Sequence, residues 1–203
     1  MPSQRKSDAI YHLEQAIRLD PNYADPLFHL GQLLLGEGRR SAAATRLQEA
    51  VTLAIASAES AGENAVAQAG NHRFSRARQS LLKAREQQQL AAEAAFSLAR
   101  LHQSAGRDGA EEMLATATVC DPAHAEAHYL LGRVRQQQGD LPEARKLLEL
   151  CVGSNYAHGA AHIALAQVIT AEDEQHLARN HYLTALDMDA TLATGELEER
   201  FGE

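Results

Sequence analysis

The sequence predicts an all-α fold, a solenoid of stacked antiparallel helix pairs, and three observations carry that expectation. Small residues recur at Ala9, Ala43, Ala77, Ala110, Ala144 and Ala178, in steps of 34 residues with one step of 33. A second column, Ala16, Ala50, Ala84, Ala117, Cys151 and Ala185, runs seven residues behind, and a larger rung lies between them at Leu13, Leu47, Leu81, Leu114, Leu148 and Tyr182. A fixed period of this length marks an array in which each repeat is one supersecondary unit. Within a period the helical apolar spacing appears twice: "AEAHYLLGRVRQQQ" places it at 127, 130, 131 and 134, "GD" interrupts, and "EARKLLELCV" resumes it at 144, 147, 148, 151 and 152. Composition agrees: alanine fills 39 of 203 positions, 45% of residues are apolar, only 4% are aromatic and there is no Trp. Such a core is built from close helix contacts between small side chains.

Taken in order, "SDAIYHLEQAIRLDP" reads as a second helix without its first, with an apolar stripe at Ile10, Leu13 and Ile17. "LDPNYADP" at 19–26 closes it, and Asp25 followed by Pro26 is a good helix opening. Breaks between paired helices are expected at 36–40 "GEGRR", 70–74 "GNHRF", 104–108 "SAGRD", 139–140 "GD" and 171–175 "AEDEQ". The expected division is a half repeat at 1–23, full units at 24–57, 58–91, 92–124, 125–158 and 159–192, and an acidic tail at 193–203. Unit 58–91 is degenerate, keeping only the Phe74, Ala77, Leu81 and Ala84 frame; unit 92–124 carries the one-residue deletion, between Ala99 and Ala110. Gly132 heads a further column, with Gly31, Ala65, Ala99 and Ala166. A glycine inside a helix costs about 1 kcal/mol relative to alanine, so close crossing of the two helices of a unit, Gly132 against Ala144, is expected to offset it.

"LLGRVRQQQGDLPEA" and "EQAIRLDPNYADPLFHLG" resemble the tetratricopeptide repeat, over about residues 7–192. The large aromatic that the family usually has near each unit's start is replaced by Leu27, Ala61, Ala95, His128 and His162. The resemblance implies a right-handed superhelix whose first helices line a concave wall that holds an extended or helical peptide. Matching register places Phe28, Gln32, Phe96, Arg100, Tyr129, Arg133, Ile163 and Gln167 on that wall. Phe28, Phe96, Tyr129 and Ile163 are expected to anchor apolar side chains. Arg100 and Arg133 either meet a partner's carboxylates or pair with Glu93, Glu126 and neighbouring glutamates. The family subgroup that grips acidic tails of heat-shock chaperones needs Lys, Asn and Arg where this chain has Phe28, Gln32, Glu63, Glu93 and Ser97, so that partner is not expected.

The chemistry-bearing residues point the same way. His124 with His128 and His158 with His162 are i, i+4 pairs, but neither has a local carboxylate or cysteine to complete a metal site. Cys151 takes a small packing slot, Cys120 lacks an evident base, and the pair forms no disulfide framework. No phosphate loop, dinucleotide fingerprint or nucleophile elbow is present, so neither a catalytic residue nor a cofactor is expected. A net charge of −8 argues against nucleic acid, and no apolar run suggests a leader or a membrane span. The expectation is a non-enzymatic, soluble scaffold of a reducing compartment, most simply the cytoplasm. It would bind a protein or peptide, within a larger complex. The alternative is end-to-end assembly, in which Ile10, Leu13 and Ile17 dock on another copy or another subunit; a metal sensor or enzyme is a distant third.

Overall fold

The computed structural model describes residues 2–202, with side chains from residue 5 onward. The described residues contain helices and turns and no strand. They fall into two compact units, one ending at Pro122 and one beginning at Ala123. The first holds α1 (Pro2–Leu19), α2 (Ala24–Gly36), α3 (Arg40–Gly70), α4 (Phe74–Ser104) and α5 (Ala110–Cys120). The second holds α6 (Ala125–Gln137), α7 (Leu141–Ser154), α8 (Gly159–Ala171), α9 (Gln175–Met188), a 3-10 turn (Ala190–Leu192) and α10 (Gly195–Phe201).

The period is written into the turns as well as the core. Left-handed backbone falls at Gly38, His72, Gly106, Gly139 and Asp173. Each residue ends the first helix of a pair in the same way. Its N–H donates to the carbonyl three residues back, and the next N–H reaches five back, as in Arg39 to Leu34 and Asp140 to Arg135. This double bond satisfies two of the helix's orphan carbonyls. Only glycine takes that conformation without cost, so His72 and Asp173 are tolerated, not optimal. The missing residue is accommodated just after Gly106: Gly109 is also left-handed, and α5 begins at Ala110, four residues after Gly106, where the other pairs resume helix after two.

The small-residue columns form the helix crossings. Ala43, Leu47 and Ala50 in α3, and Ala144, Leu148 and Cys151 in α7, are completely buried. A Cβ added at Gly31 would sit 2.8 Å from Leu47 Cγ; one at Gly132 would sit 3.0 Å from Leu148 Cγ and 3.4 Å from the Ala144 carbonyl oxygen. Each glycine therefore lets a first helix lie directly on the leucine rung of its partner. In the second unit α8 is buried on most sides, because α7 and α9 pack against it; Leu197 and Phe201 of α10 enter the core beside Tyr182. The segment expected as an acidic tail is thus in part a cap.

The stretch 58–91 departs from a regular array. Breaks were expected near 57 and 91, but α3 runs unbroken from 40 to 70 and α4 from 74 to 104. "ASAESAGEN" and "QQQLAAEAA" lack the Asp-Pro and His-Gly pairs that separate units elsewhere; Gly62 and Asn64 alone do not break α3, and the alanines, glutamines and glutamates around both positions favour helix. Ala58, Ala61 and Ala65 face Ala77 and Ala84, so the two helix halves form an alanine-lined antiparallel hairpin. The chain then resumes stacking one period late. Leu101 of α4 joins Leu30 and Leu34 of α2 around Ala43, and Gln32 donates to Ser97, 65 residues away (2.7 Å). In the second unit the equivalent step, Arg133 to Gln167, is 34 residues. The rung residue of the hairpin reports the difference: Leu81 is 59% exposed, against 0% for Leu47 and Leu148.

Candidate functional site

In the first unit the wall is built by α2 and the C-terminal half of α4. Asp25, Phe28, Gln32 and Leu35 repeat at helical spacing along α2, and Leu90, Glu93, Ser97, Arg100 and Ser104 do so along α4. Between the helix starts lies a cavity of about 670 Å³ whose lining includes Tyr23, Asp25, Phe28, Gln87, Leu90 and Glu93. Between their ends lies one of about 300 Å³ lined by Gln32, Leu35, Arg40, Ser97, Arg100, Leu101 and Ser104. Phe28 and Phe96 are half-buried; Gln32 and Arg100 are exposed. The Arg100 guanidinium lies over the Phe96 ring, 5.9 Å from its centroid, a cation–π contact that holds both side chains at the wall. The sequence register named these four residues; the structure sets Gln32 and Arg100 around one cavity, with Phe96 under Arg100 and Phe28 at the other cavity, and 58–70 passed over.

In the second unit α6 and α8 supply the corresponding positions. Arg133 and Gln136 both donate to Gln167 Oε1 at 3.4 Å. Neither contact is the Arg133–Glu126 pairing considered from the sequence; Glu126 instead approaches His158 at 3.4 Å. Tyr129 is half-buried, its ring 4.7 Å from that of His158. Ile163 does not serve as an anchor: it is 7% exposed and packs in the core beneath α6 and α8. Gln167, at i+4 on the same face of α8, is the half-buried polar residue there.

The end stripe is also partly used. Ile10, Leu13 and Ile17 are half-buried against Leu30, Leu34, Ala43 and Leu101. The chain's own core occupies much of the surface that end docking would need.

The histidines take structural positions. Nδ1 of His124 accepts the Ala127 N–H (3.2 Å) and Nδ1 of His158 accepts the Ala161 N–H (3.1 Å), so each caps a helix start. His128 and His162 are buried, where the family has its large packed residue. His162 Nε2 donates to the Tyr156 carbonyl at 3.0 Å; its Nδ1 lies 2.9 Å from His181 Nδ1 and accepts that ring's proton. Burial pushes both histidines below their ordinary range, His158 adding to the effect on His162 and His162 to that on His181. Burial raises the Cys120 thiol and pushes Cys151 up to about 12, which keeps both protonated and weakly nucleophilic. Sequence reading missed Arg145. It donates to Glu149 (2.9 Å), Glu172 (2.7 Å) and Glu174 (2.7 Å), tying α7 to the turn between α8 and α9. The three glutamates raise its affinity for its proton, and the bond to Arg145 lowers that of Glu174. The i, i+4 pair with Glu149 was legible; the contacts 27 and 29 residues away were not. No group of three metal-ligating side chains occurs among the described residues.

Fold and walls together define a helical-repeat protein, an all-α solenoid built from helix hairpins. The comparisons supply the family: a sequence model described as a TPR repeat matches residues 4–38, and one for the second ARM domain of tetratricopeptide repeat protein 21 matches 102–173. These two stretches carry tetratricopeptide-type repeats, and the fold is a tetratricopeptide-type helical solenoid. Solved structures of MamA share the fold. A MamA RS-1 double mutant is 17% identical with a TM-score of 0.59, covering 94% of this chain and 88% of that one. MamA from Desulfovibrio magneticus RS-1 is 17% identical with a TM-score of 0.57, over 93% and 88%. MamA MSR-1 is 19% identical with a TM-score of 0.54, over 95% and 91%. No curated protein sequence matches the chain.

Proposed function

We propose that this protein is a non-enzymatic scaffold that holds a protein or peptide partner, and that the first-unit wall of Phe28, Gln32, Phe96 and Arg100 is the principal contact surface. One observation carries the reading: the α2/α4 face keeps two half-buried aromatics beside an exposed arginine, with a cavity at each end of the row. Aromatic and arginine side chains are the residue types that dominate binding energy at protein interfaces. Arg100, pre-oriented on Phe96, suits a carboxylate on the partner. Tyr129, Arg133 and Gln167 form a secondary polar surface in the second unit. The protonated thiols, Cys151 buried and Cys120 half-buried, and the histidines committed to caps and core favour binding over catalysis. No helix is long and apolar enough to cross a membrane among the described residues.

The test is capture from native extract with the wild type and with a Phe28→Ala/Phe96→Ala variant. The variant is expected to keep its helical circular dichroism and to lose at least tenfold in recovery of the partner. Unchanged recovery would reject the wall as the contact surface.

A further inference from the structure

The hairpin of α3 and α4 carries a surface that the partner wall does not use. Residues 64–85, its outer part, contain Arg73, Arg76, Arg78, Lys83 and Arg85 and no acid; all 27 Asp and Glu of the chain lie elsewhere. None of these five cations is in an ion pair among the described residues. Phe74, Arg78, Leu81, Leu82 and Arg85 follow one another at i, i+4, i+7, i+8 and i+11, so they share one flank of α4. Phe74 is 67% and Leu82 51% exposed, and Val66 on α3 is 75% exposed. The opposite flank is polar: Ser60, Asn64 and Gln68 line a cavity with Ser80 and Lys83. By helical phase Val66, Phe74 and Leu81 lie together on the other. The hairpin's own carboxylates, Glu59, Glu63 and Glu86, sit toward its base.

We propose that this flank of the hairpin docks on the headgroup layer of an anionic membrane, with Phe74, Leu81 and Val66 dipping into the interface and the arginines against the lipid phosphates. Charge complementarity selects the occupant. Arg78 and Arg85 on this flank, with Arg73 and Arg76 beside Phe74 at the hairpin's tip, form a cationic patch on an otherwise acidic protein, whereas Lys83 lies on the polar flank; such a patch seeks an anionic surface, and juxtamembrane cations are each attracted to one. Phosphates of a nucleic acid would satisfy the arginines but leave the large apolar side chains in water. A bilayer interface takes both, and the arginine stems lie along the apolar residues while their heads stay wet. This docking is peripheral and independent of the wall proposed above.

The chain has no Trp, so Phe74→Trp supplies a unique fluorescent reporter on the full-length protein. With vesicles of 30% phosphatidylglycerol in phosphatidylcholine at low salt, its emission is expected to shift to the blue and the protein to float with the lipid. Pure phosphatidylcholine vesicles should give neither. Each of Arg78→Gln and Arg85→Gln, added singly, should weaken binding about fivefold, and 0.5 M salt should release the protein. In the native background Leu81→Ser/Leu82→Ser should weaken it at least as much; both sites are exposed, and circular dichroism checks that the hairpin persists. Equal binding to both vesicle types, or none, overturns the proposal. Full binding by the Leu81→Ser/Leu82→Ser variant also overturns it, and assigns the cations to a soluble acidic partner.

Discussion

At the scale of single residues, the structure separates glycines that must be glycine from those that need not. A methyl group at Gly31 would meet Leu47, a completely buried side chain with no room to yield. At Gly62, also inside α3, it would meet nothing within 4 Å. Gly31→Ala is therefore expected to destabilise by about 1–3 kcal/mol through overpacking, net of its propensity gain. Gly62→Ala should stabilise by roughly 0.5–1 kcal/mol. Urea denaturation of the two variants reads both signs; the same sign for both would contradict the packing described here. The sequence made Gly132 and Gly31 legible because their column recurs with Ala43 and Ala144. It did not reveal His72 and Asp173 as left-handed turn residues, since neither type announces positive φ, although their register with Gly38, Gly106 and Gly139 would have done so.

At the scale of elements, the period was legible and its interruption was not. The alanine frame of 58–91 keeps the 34-residue register, and that register predicts a turn at each end. What decides the local structure is the absence of an Asp-Pro or His-Gly pair; Gly62 and Asn64 by themselves do not stop the helix, and the surrounding propensity carries α3 and α4 through both positions. Since neighbouring units bury each other's apolar faces, a unit that leaves the stack is left with alanine contacts and exposed leucines. Leu47→Ala should accordingly cost about 2–5 kcal/mol, whereas Leu81→Ala, at the same place in the period, should cost less than about 0.5 kcal/mol. Chemical denaturation distinguishes the two, and comparable losses would restore a regular stack. Phe28 and Gln32 on α2 and Phe96 and Arg100 on α4 could be aligned from the sequence because register survives the interruption; their contact with a partner is the proposal made above. Ile163, expected on the open wall, is 7% exposed because α8 shares one core with its neighbours α6, α7 and α9, a tertiary effect that register alone does not show. Arg145 escaped notice because its partners are joined through tertiary packing.

At the scale of the whole molecule, stability should depend on pH in two separate windows. His162 and His181 are held neutral, with folded affinities for a proton below that of the unfolded chain. The unfolded state then binds more protons as the medium is acidified. Stability is at its full value above about pH 6.5 and falls as the pH drops through and below that value. Glu174 and Asp189 are shifted down by Arg145 and by Thr191 respectively, so their contribution is lost only below about pH 4. Thermal melting is expected to be flat from pH 8 to 7 and to decline from 6.5 to 5, with a shallower decline for His181→Gln. A flat profile down to pH 5 would show that the histidine pair is not held neutral.

The distance between α2 and its spatial neighbour tests the central claim, that one repeat leaves the stack while the next takes its place on the wall. Spin labels at Gln32→Cys and Ser97→Cys, in a Cys120→Ser/Cys151→Ala background, are expected to report adjacent helices about 10 Å apart. Labels at Gln32→Cys and Val66→Cys should lie much farther apart, since Val66 is 19 residues beyond Leu47 on the same helix, about 28 Å along its axis. A short 32–66 distance with a long 32–97 distance would mean an uninterrupted array, and would remove both the Phe28–Phe96 wall and the projecting hairpin.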